Sequence, residues 1–394
     1  MDSGVKPVSE SAPNLFSPYT IGSVTLPNRI VVSPMSQYIA RDGVANDWHF
    51  AHLSRFALGG AGLVFTEATA VEARGRRTHG DLGLWDDNQI EALARITKFI
   101  EGEGSVPGIQ LAHAGRKASE RRPWDGETPV DSTDEDERGE APWAAIAPSA
   151  QAYGDGWPLP MEMTAGDIED VIEAFGASAA RARQAGFKVI DIYAGHGFLL
   201  HQYCSPLSNV RTDGYGGSLE NRMRLSLEVV DAIRREWPRD LALMYRASAT
   251  DWIEGGWTVE DTVVLARALK QRGVDVIDCT TGGIGGPDKP QRMPLAQGFQ
   301  VPYAEQVRRE ASIATMAVGF IWDPTVANAV ITEGRADLVA LARELLNNPN
   351  WPLHAARELG FDPDYRTWRP QFGWWLQRRE RVIDKLGLRD PDNV

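Results

Sequence analysis

Residues 187–224, FKVIDIYAGHGFLLHQYCSPLSNVRTDGYGGSLENRMR, decide how this chain is read. The run Val189-Ile190-Asp191-Ile192 is almost wholly apolar, which predicts a strand buried on both faces. Tyr193, His196 and Phe198 follow just past its end. A loop rich in glycine and arginine comes next, and a helix is expected to begin near Glu220. Polar groups at the carboxyl end of a buried parallel strand are where α/β proteins place their chemistry.

The same alternation runs through the rest of the chain. Strands are predicted at Arg29–Ser33, Gly62–Glu67, Val106–Ala112, Val189–Tyr193, Ala242–Arg246, Val274–Cys279, Ile313–Val318 and Asp337–Leu341. Helical stretches separate them, at Trp48–Leu58, Asp87–Glu101, Ala165–Ala185, Leu219–Glu236, Val259–Arg272, Pro302–Glu310, Pro324–Thr332 and Trp351–Leu359. Thr164 and Thr258 stand where N-caps belong, and Gly186 and Gly273 where helices end. Eight such units predict an α/β fold, a single (β/α)8 TIM barrel. A doubly wound sheet with a second domain is the weaker competitor, since no Gly-x-Gly-x-x-Gly follows the first strand. Residues 1–14 are expected to be a loose tail and 15–361 the barrel. Residues 117–163, acidic and rich in Pro and Trp, read as a capping excursion after the third strand. Within them, 132–140 reads as a disordered, solvated insert. Residues 362–394 form an aromatic, basic C-terminal tail that would cover the mouth, contact another subunit, or both.

The formal net charge of -13 argues against nucleic acid or an anionic membrane as partner. The 2 cysteines, Cys204 and Cys279, lie too far apart in sequence for a metal motif and are read as buried small hydrophobes. A cytoplasmic protein with no metal is expected. No apolar run reaches the length of a membrane span. Trp374 and Trp375 would be awkward on a monomer, so a homo-oligomer, dimer or tetramer, is expected.

Residues at strand ends should converge on one mouth. Pro34, Met35, Ser36, Gln37 and Tyr38 follow the first strand, Gln110 lies in the third, and Arg246 ends the fifth. An Arg there can hold a developing anion, and a Gln can bond an amide-like ring edge. Gly319 follows the seventh strand, and Ala342-Arg343 the eighth, where barrels hold phosphate. Together these predict a phosphorylated heteroaromatic cofactor. His49 and His52 read as packing or capping residues. His113 lies just behind the mouth, while Arg211, Asp213 and Arg222 tie the glycine loop together.

On these segments the chain resembles the old yellow enzyme family of flavin mononucleotide (FMN) oxidoreductases, in its bacterial, smaller-barrel branch. The matching stretches are LPNRIVVSPMSQY (26–38), NDWHF…GGAGLVFTEATA (46–70), GIQLAHAGRK (108–117), RASATDWIEGGW (246–257), GRADLVALARELLNNPNWP (334–352) and, most specific, NxRTDxYGGSxENRxR (209–224). The resemblance implies FMN across the barrel mouth, lined by Pro34, Met35, Ser36 and Ala68. It implies Gln110 at the pyrimidine edge, Arg246 near the flavin N1 and O2, and Gly319, Ala342 and Arg343 at the phosphate. It further implies reduction of the flavin by NADPH or NADH, then hydride transfer to a small-molecule substrate, an alkene conjugated to a carbonyl.

The chain departs from the family pattern at the substrate. The His-x-x-His or His-x-x-Asn pair is Tyr193 and His196 here. The usual proton-donating Tyr is Phe198, and the usual Cys of the first strand's motif is Ser36. The tail has Gly373-Trp374-Trp375 where an Arg often reaches a neighbour. Catalysis is therefore expected from Tyr193, His196 and Tyr38, with Tyr38, Tyr193 or water as proton source. The alternative is flavin-dependent oxidation, of an amine or a saturated carbonyl compound, on the same Tyr193/His196 pair.

Overall fold

The computed structural model describes residues 12–286 and 293–388, so most of the expected N-terminal tail lies outside the described residues. Eight parallel strands form the centre: β1 (Ile30–Val32), β2 (Leu63–Ala70), β3 (Val106–Ala112), β4 (Val189–Ala194), β5 (Ala242–Ser248), β6 (Val276–Thr280), β7 (Ala314–Ala317) and β8 (Leu338–Leu341). β1 pairs with both β8 and β2, which closes the sheet. A two-residue strand, Leu82–Gly83, lies against β2 outside the ring. The barrel helices are α1 (Asp47–Leu58), α2 (Ile90–Gly102), α3 (Ala165–Gln184), α4 (Leu219–Glu236), α5 (Val259–Gln271), α6 (Val301–Ala311), α7 (Pro324–Thr332) and α8 (Trp351–Glu358). The eight strands and eight helices expected from the sequence are all present, with ends shifted by a few residues.

Local chemistry sets the helix ends. Thr164 and Thr258 each accept from the backbone three residues on, while Asp167 and Asp261 bond back to them. Two hydrogen bonds from Thr164, then one from Arg74, hold the Asp167 carboxyl down at about 2. Gly186 (φ +87°) and Gly273 (φ +89°) follow α3 and α5 in the left-handed region. The next residues, Phe187 and Val274, donate back to Ala182 and Leu269, which stops each helix at the chain's entry to a strand.

Inside the ring, the lower layers are apolar: Val31, Leu63, Phe65, Val189, Met244, Val276 and Met316. An antiparallel hairpin not anticipated from the sequence, Tyr19–Ile21 with Val24–Leu26, adds Ile21, Val24 and Leu26 to this cluster and closes the barrel's foot. Ser23 bonds the Asp240 carbonyl just before β5, fixing the hairpin there. Toward the carboxyl ends, the inward positions turn polar: Gln110, Asp191, Tyr193, Arg246, Asp278 and Thr280.

The excursion after β3 corrects one expectation. Residues Ser132–Arg138 form a helix, not a disordered insert. Asp131 caps it, and Arg121 grips Asp134 through both carboxylate oxygens while Arg138 bonds it from the last turn. Asp134 is therefore neutralised locally, while Glu135, Asp136 and Glu137 stay exposed. In the tail, Pro370–Leu386 is a helix anchored at the foot of the barrel by Arg369–Glu103 and Arg357–Glu380 contacts. It does not cover the mouth of its own barrel, and Trp374 and Trp375 stay exposed. No helix among the described residues is long and apolar enough to cross a membrane.

Because Leu26 is fully buried in the barrel's foot, Leu26→Ala should cost about 3 kcal/mol of stability by urea unfolding. A loss under about 0.5 kcal/mol would mean that the hairpin does not plug the barrel.

Candidate active site

Register brings the polar residues of separate strands to common levels. Gln110 stands beside Asp191, and Arg246 is flanked by Tyr193 on β4 and Asp278 on β6. Gln110 Nε2 donates to Asp191 Oδ2 at 2.7 Å. Arg246 donates from Nη1 to Ser33 Oγ (3.1 Å), and its Nε lies 3.3 Å from Asp278 Oδ2. That last contact is coulombic, since neither Arg246 Nε nor either Asp278 oxygen has a hydrogen bond among the described residues. Both aspartates are wholly buried. Burial raises their pKa values, for Asp191 with the Asp278 charge adding to it. Burial works against the Arg246 charge too, but Asp278, Tyr193 and Asp191 outweigh it and raise its pKa.

Above this floor a cavity of about 560 Å³ runs from Arg246, His196 and Thr280 to Gly319 and Arg343. A smaller recess of about 140 Å³ adjoins it, lined by Pro34, Ser36, Tyr38, Ala68, Gln110, Tyr193 and Phe198. The structure thus gathers eleven of the twelve sequence-predicted site residues around one continuous mouth, Met35 being the exception. Ala342 lines the larger chamber, while Met35 is half-buried and packs on the main core. At the far end, Gly319 has φ +121°, and a Cβ there would come within 3.0 Å of Gln300 Nε2. Beside it the Arg343 guanidinium lies 4.2 Å from the Phe320 ring and makes no ion pair among the described residues.

At the near end, Tyr193 Oη and His196 Nδ1 are 2.7 Å apart. Burial pushes the Tyr193 phenol up to about 12 and holds the His196 imidazole well below its usual range, so at neutral pH both are uncharged. The Phe198 ring packs 4.3 Å from the Tyr193 ring and offers no donor. Tyr38 reaches the recess from the other side, where its hydroxyl accepts from Arg77 Nη1 (3.2 Å). Tyr38 (φ +55°) and His196 (φ +50°) both hold left-handed backbones, a strain that the surroundings must impose. Arg77, paired with Glu120, braces Tyr38. Lys117 Nζ donates to the His196 carbonyl (3.2 Å), and Ser248 Oγ accepts from its N–H (2.8 Å). Burial, then the Arg77 charge, lowers the buried Lys117 to about 8.

Sequence reasoning missed Asp191, Asp278, Thr280 and Lys117 as parts of the mouth. A lone Asp inside each of two apolar runs, VIDI and VIDC, was the available signal. His49 and His113 are supports as expected. His49 closes the α1 capping box and meets Glu67 (3.2 Å), and His113 meets Glu72 (3.2 Å). Glu67 in turn accepts from the Gln37 N–H, which fixes the loop after β1.

A floor cation, a phosphate-sized cradle and a phenol–imidazole pair on one barrel mouth fit the comparisons with known proteins. The NADH:flavin oxidoreductase / NADH oxidase family matches residues 14–361. The chain belongs to that family. It is 46% identical over 348 residues to an NADPH dehydrogenase of Geobacillus sp. (strain WCH70), covering 88% of this chain and 94% of that protein. Among solved structures it resembles morphinone reductase (TM-score 0.71, 26% identity, 90% of this chain and 91% of that one). It also resembles histamine dehydrogenase from Rhizobium sp. 4-9 (TM-score 0.72, 25% identity, 89% of this chain and 48% of that one). This family member is an NAD(P)H-dependent FMN oxidoreductase.

Asp81 lines the recess, buried, and accepts from Thr78 Oγ1 and the Arg77 N–H. Burial nonetheless raises its pKa to about 6, so the folded protein holds this proton more tightly than the unfolded chain. Its contribution is therefore fullest below about pH 4 and is lost as the pH climbs to about 6, a span worth roughly 3 kcal/mol. Relative to Asp81→Asn, the wild-type protein should lose stability across that window in pH-dependent thermal unfolding. Parallel curves for the two proteins would contradict the assignment.

Proposed function

We propose that this flavoenzyme reduces alkenes conjugated to a carbonyl. FMN, when bound, supplies the hydride from its N5 after reduction by NADPH or NADH. Several features support its seat in this mouth. Arg246 keeps a buried Nε without a hydrogen-bond partner among the described residues and offers positive charge where a reduced ring carries negative charge. Gln110 donates to Asp191 and has Oε1 left to accept from a ring N–H. Gly319, Ala342 and Arg343 border a cradle that a larger side chain at 319 would fill, suited to a phosphate monoester. Pro34, Met35, Ser36 and Ala68 are assigned to the ring's lining.

The observation that carries the reading is the Tyr193/His196 pair on the same cavity as Arg246. Tyr193 binds the substrate oxygen and His196 orients Tyr193. As negative charge develops on that oxygen, the hydroxyl stabilises it. The α-carbon proton comes from Tyr38, Tyr193 or water, because Phe198 has none to give. A second reading, oxidation of an amine or a saturated carbonyl compound on the same pair, is supported by the likeness to histamine dehydrogenase.

Anaerobic rapid mixing separates the two. NADPH-reduced protein should be reoxidised by 2-cyclohexenone, and the oxidised protein should stay coloured with a tertiary amine. The reverse pattern would overturn the alkene reading. In the same assay Tyr193→Phe should retain FMN and lower enone turnover about 100-fold, whereas unchanged turnover would make Tyr193 a bystander. Phe198→Tyr should raise enone turnover if proton supply limits the rate, and an unchanged rate would assign protonation to another route.

A further inference from the structure

His196 has both ring nitrogens engaged, and the second contact leads away from the substrate side. Its Nε2 lies 2.7 Å from Thr280 Oγ1. Thr280 Oγ1 in turn donates to Gln300 Oε1 at 3.0 Å, and Thr281 Oγ1 donates to the same oxygen at 3.0 Å. Thr280, Thr281 and Gln300 are all buried. The result is a continuous chain, Tyr193–His196–Thr280–Gln300, joining the phenol to a side chain that borders Gly319.

The direction of every proton in this chain follows from its last member. A carboxamide oxygen only accepts, so the Thr280 hydroxyl must give its one proton to Gln300. Toward His196, Thr280 then has only lone pairs, so Nε2 must carry the imidazole proton. A neutral imidazole with a proton on Nε2 has a bare Nδ1. That nitrogen accepts from Tyr193, whose hydroxyl proton is turned inward and whose lone pairs face the cavity.

From this geometry we infer that Thr280 and Gln300 are positioning residues that fix the His196 tautomer and so decide whether Tyr193 accepts from or donates to its ligand. In the resting protein Tyr193 is an acceptor. A ligand with an acceptor oxygen requires the opposite sense throughout. The Gln300 amide turns its Nε2 to Thr280, Thr280 donates to His196 Nε2, His196 Nδ1–H donates to Tyr193, and the phenol proton points outward. A ligand with an N–H or O–H donor needs no reversal. The backbone packs closely on the chain's two middle members: a Cβ at Gly283 would come within 2.3 Å of His196 Cα, and one at Gly195 within 3.1 Å of Thr280 Cγ2.

The inference about turnover rests on the alkene reading, but the tautomer does not, and the experiment separates them. The FMN-loaded, ¹⁵N-histidine-labelled protein is studied by NMR, with His196 assigned through its loss in His196→Asn. Resting wild-type protein should carry the His196 proton on Nε2, and p-hydroxybenzaldehyde, whose phenolate is an acceptor, should move it to Nδ1. Thr280→Val should abolish the fixed tautomer and lower enone turnover at least tenfold, with Thr280→Ser recovering most of both. A resting proton on Nδ1 overturns the inference, as does a Thr280→Val protein with unchanged tautomer and turnover. A tautomer that behaves as stated in a protein that ignores enones upholds the chain and removes only the alkene reading. The wild-type spectra decide the matter even if Thr280→Val fails to fold.

Discussion

A single guanidinium inside the barrel organises the mouth. Arg246 is set at the level where the apolar layers end, flanked across the sheet by Tyr193 and Asp278. A charge so placed is costly unless matched. Asp278 matches it, and Asp191 lies within its field, with Gln110 drawn in to bond Asp191. Among the described residues the carboxylates leave atoms without hydrogen bonds, so the floor is held by field strength more than by directed contacts. That leaves the upper side of Arg246 open to the cavity. The family's anionic cofactor is the natural counterpart of a site in which positive charge is prepared in advance.

The loops above that floor are rigid for reasons that lie outside the cavity. His196 and Tyr38 hold backbone angles that side-chain-bearing residues avoid. They are kept there by Lys117, Ser248 and the Arg77–Glu120 pair. The excursion after β3 contributes to this bracing: Arg122, from within it, donates to the Tyr38 carbonyl and pairs with Glu140. Its acidic residues divide between paired ones, Asp131, Asp134 and Glu140, and exposed ones, Glu135, Asp136 and Glu137. Strain held at cavity-facing positions and met by ion pairs behind them is what preorganisation requires.

The barrel was legible because each strand is a short apolar run and each helix carries its own stop signal, as at Thr164 and Gly186. The strand-end polar residues were legible for the same reason, since topology sends them all to one mouth. What escaped was whatever depends on facing across the ring. Asp191 and Asp278 sit in runs that read as apolar on both faces, and only closure of the sheet turns them onto a common floor. Thr280 and Gln300 are 20 residues apart, and nothing in their spacing says that they meet. The hairpin at 19–26 is too short for a periodicity signal, and the helix at 132–138 is stabilised by Arg121, which lies outside it.

The central claim is that Tyr193 and His196 face one ligand-binding space above a bound flavin whose electron-rich edge lies over Arg246. A crystal of the FMN-loaded protein soaked with p-hydroxybenzaldehyde tests this most directly. The account predicts the phenolate oxygen within hydrogen-bonding distance of Tyr193 Oη, the ring stacked on the flavin, and the Arg246 guanidinium beneath the flavin's electron-rich edge. A flavin lying elsewhere, or a ligand oxygen that ignores Tyr193 while the flavin is in place, would contradict it.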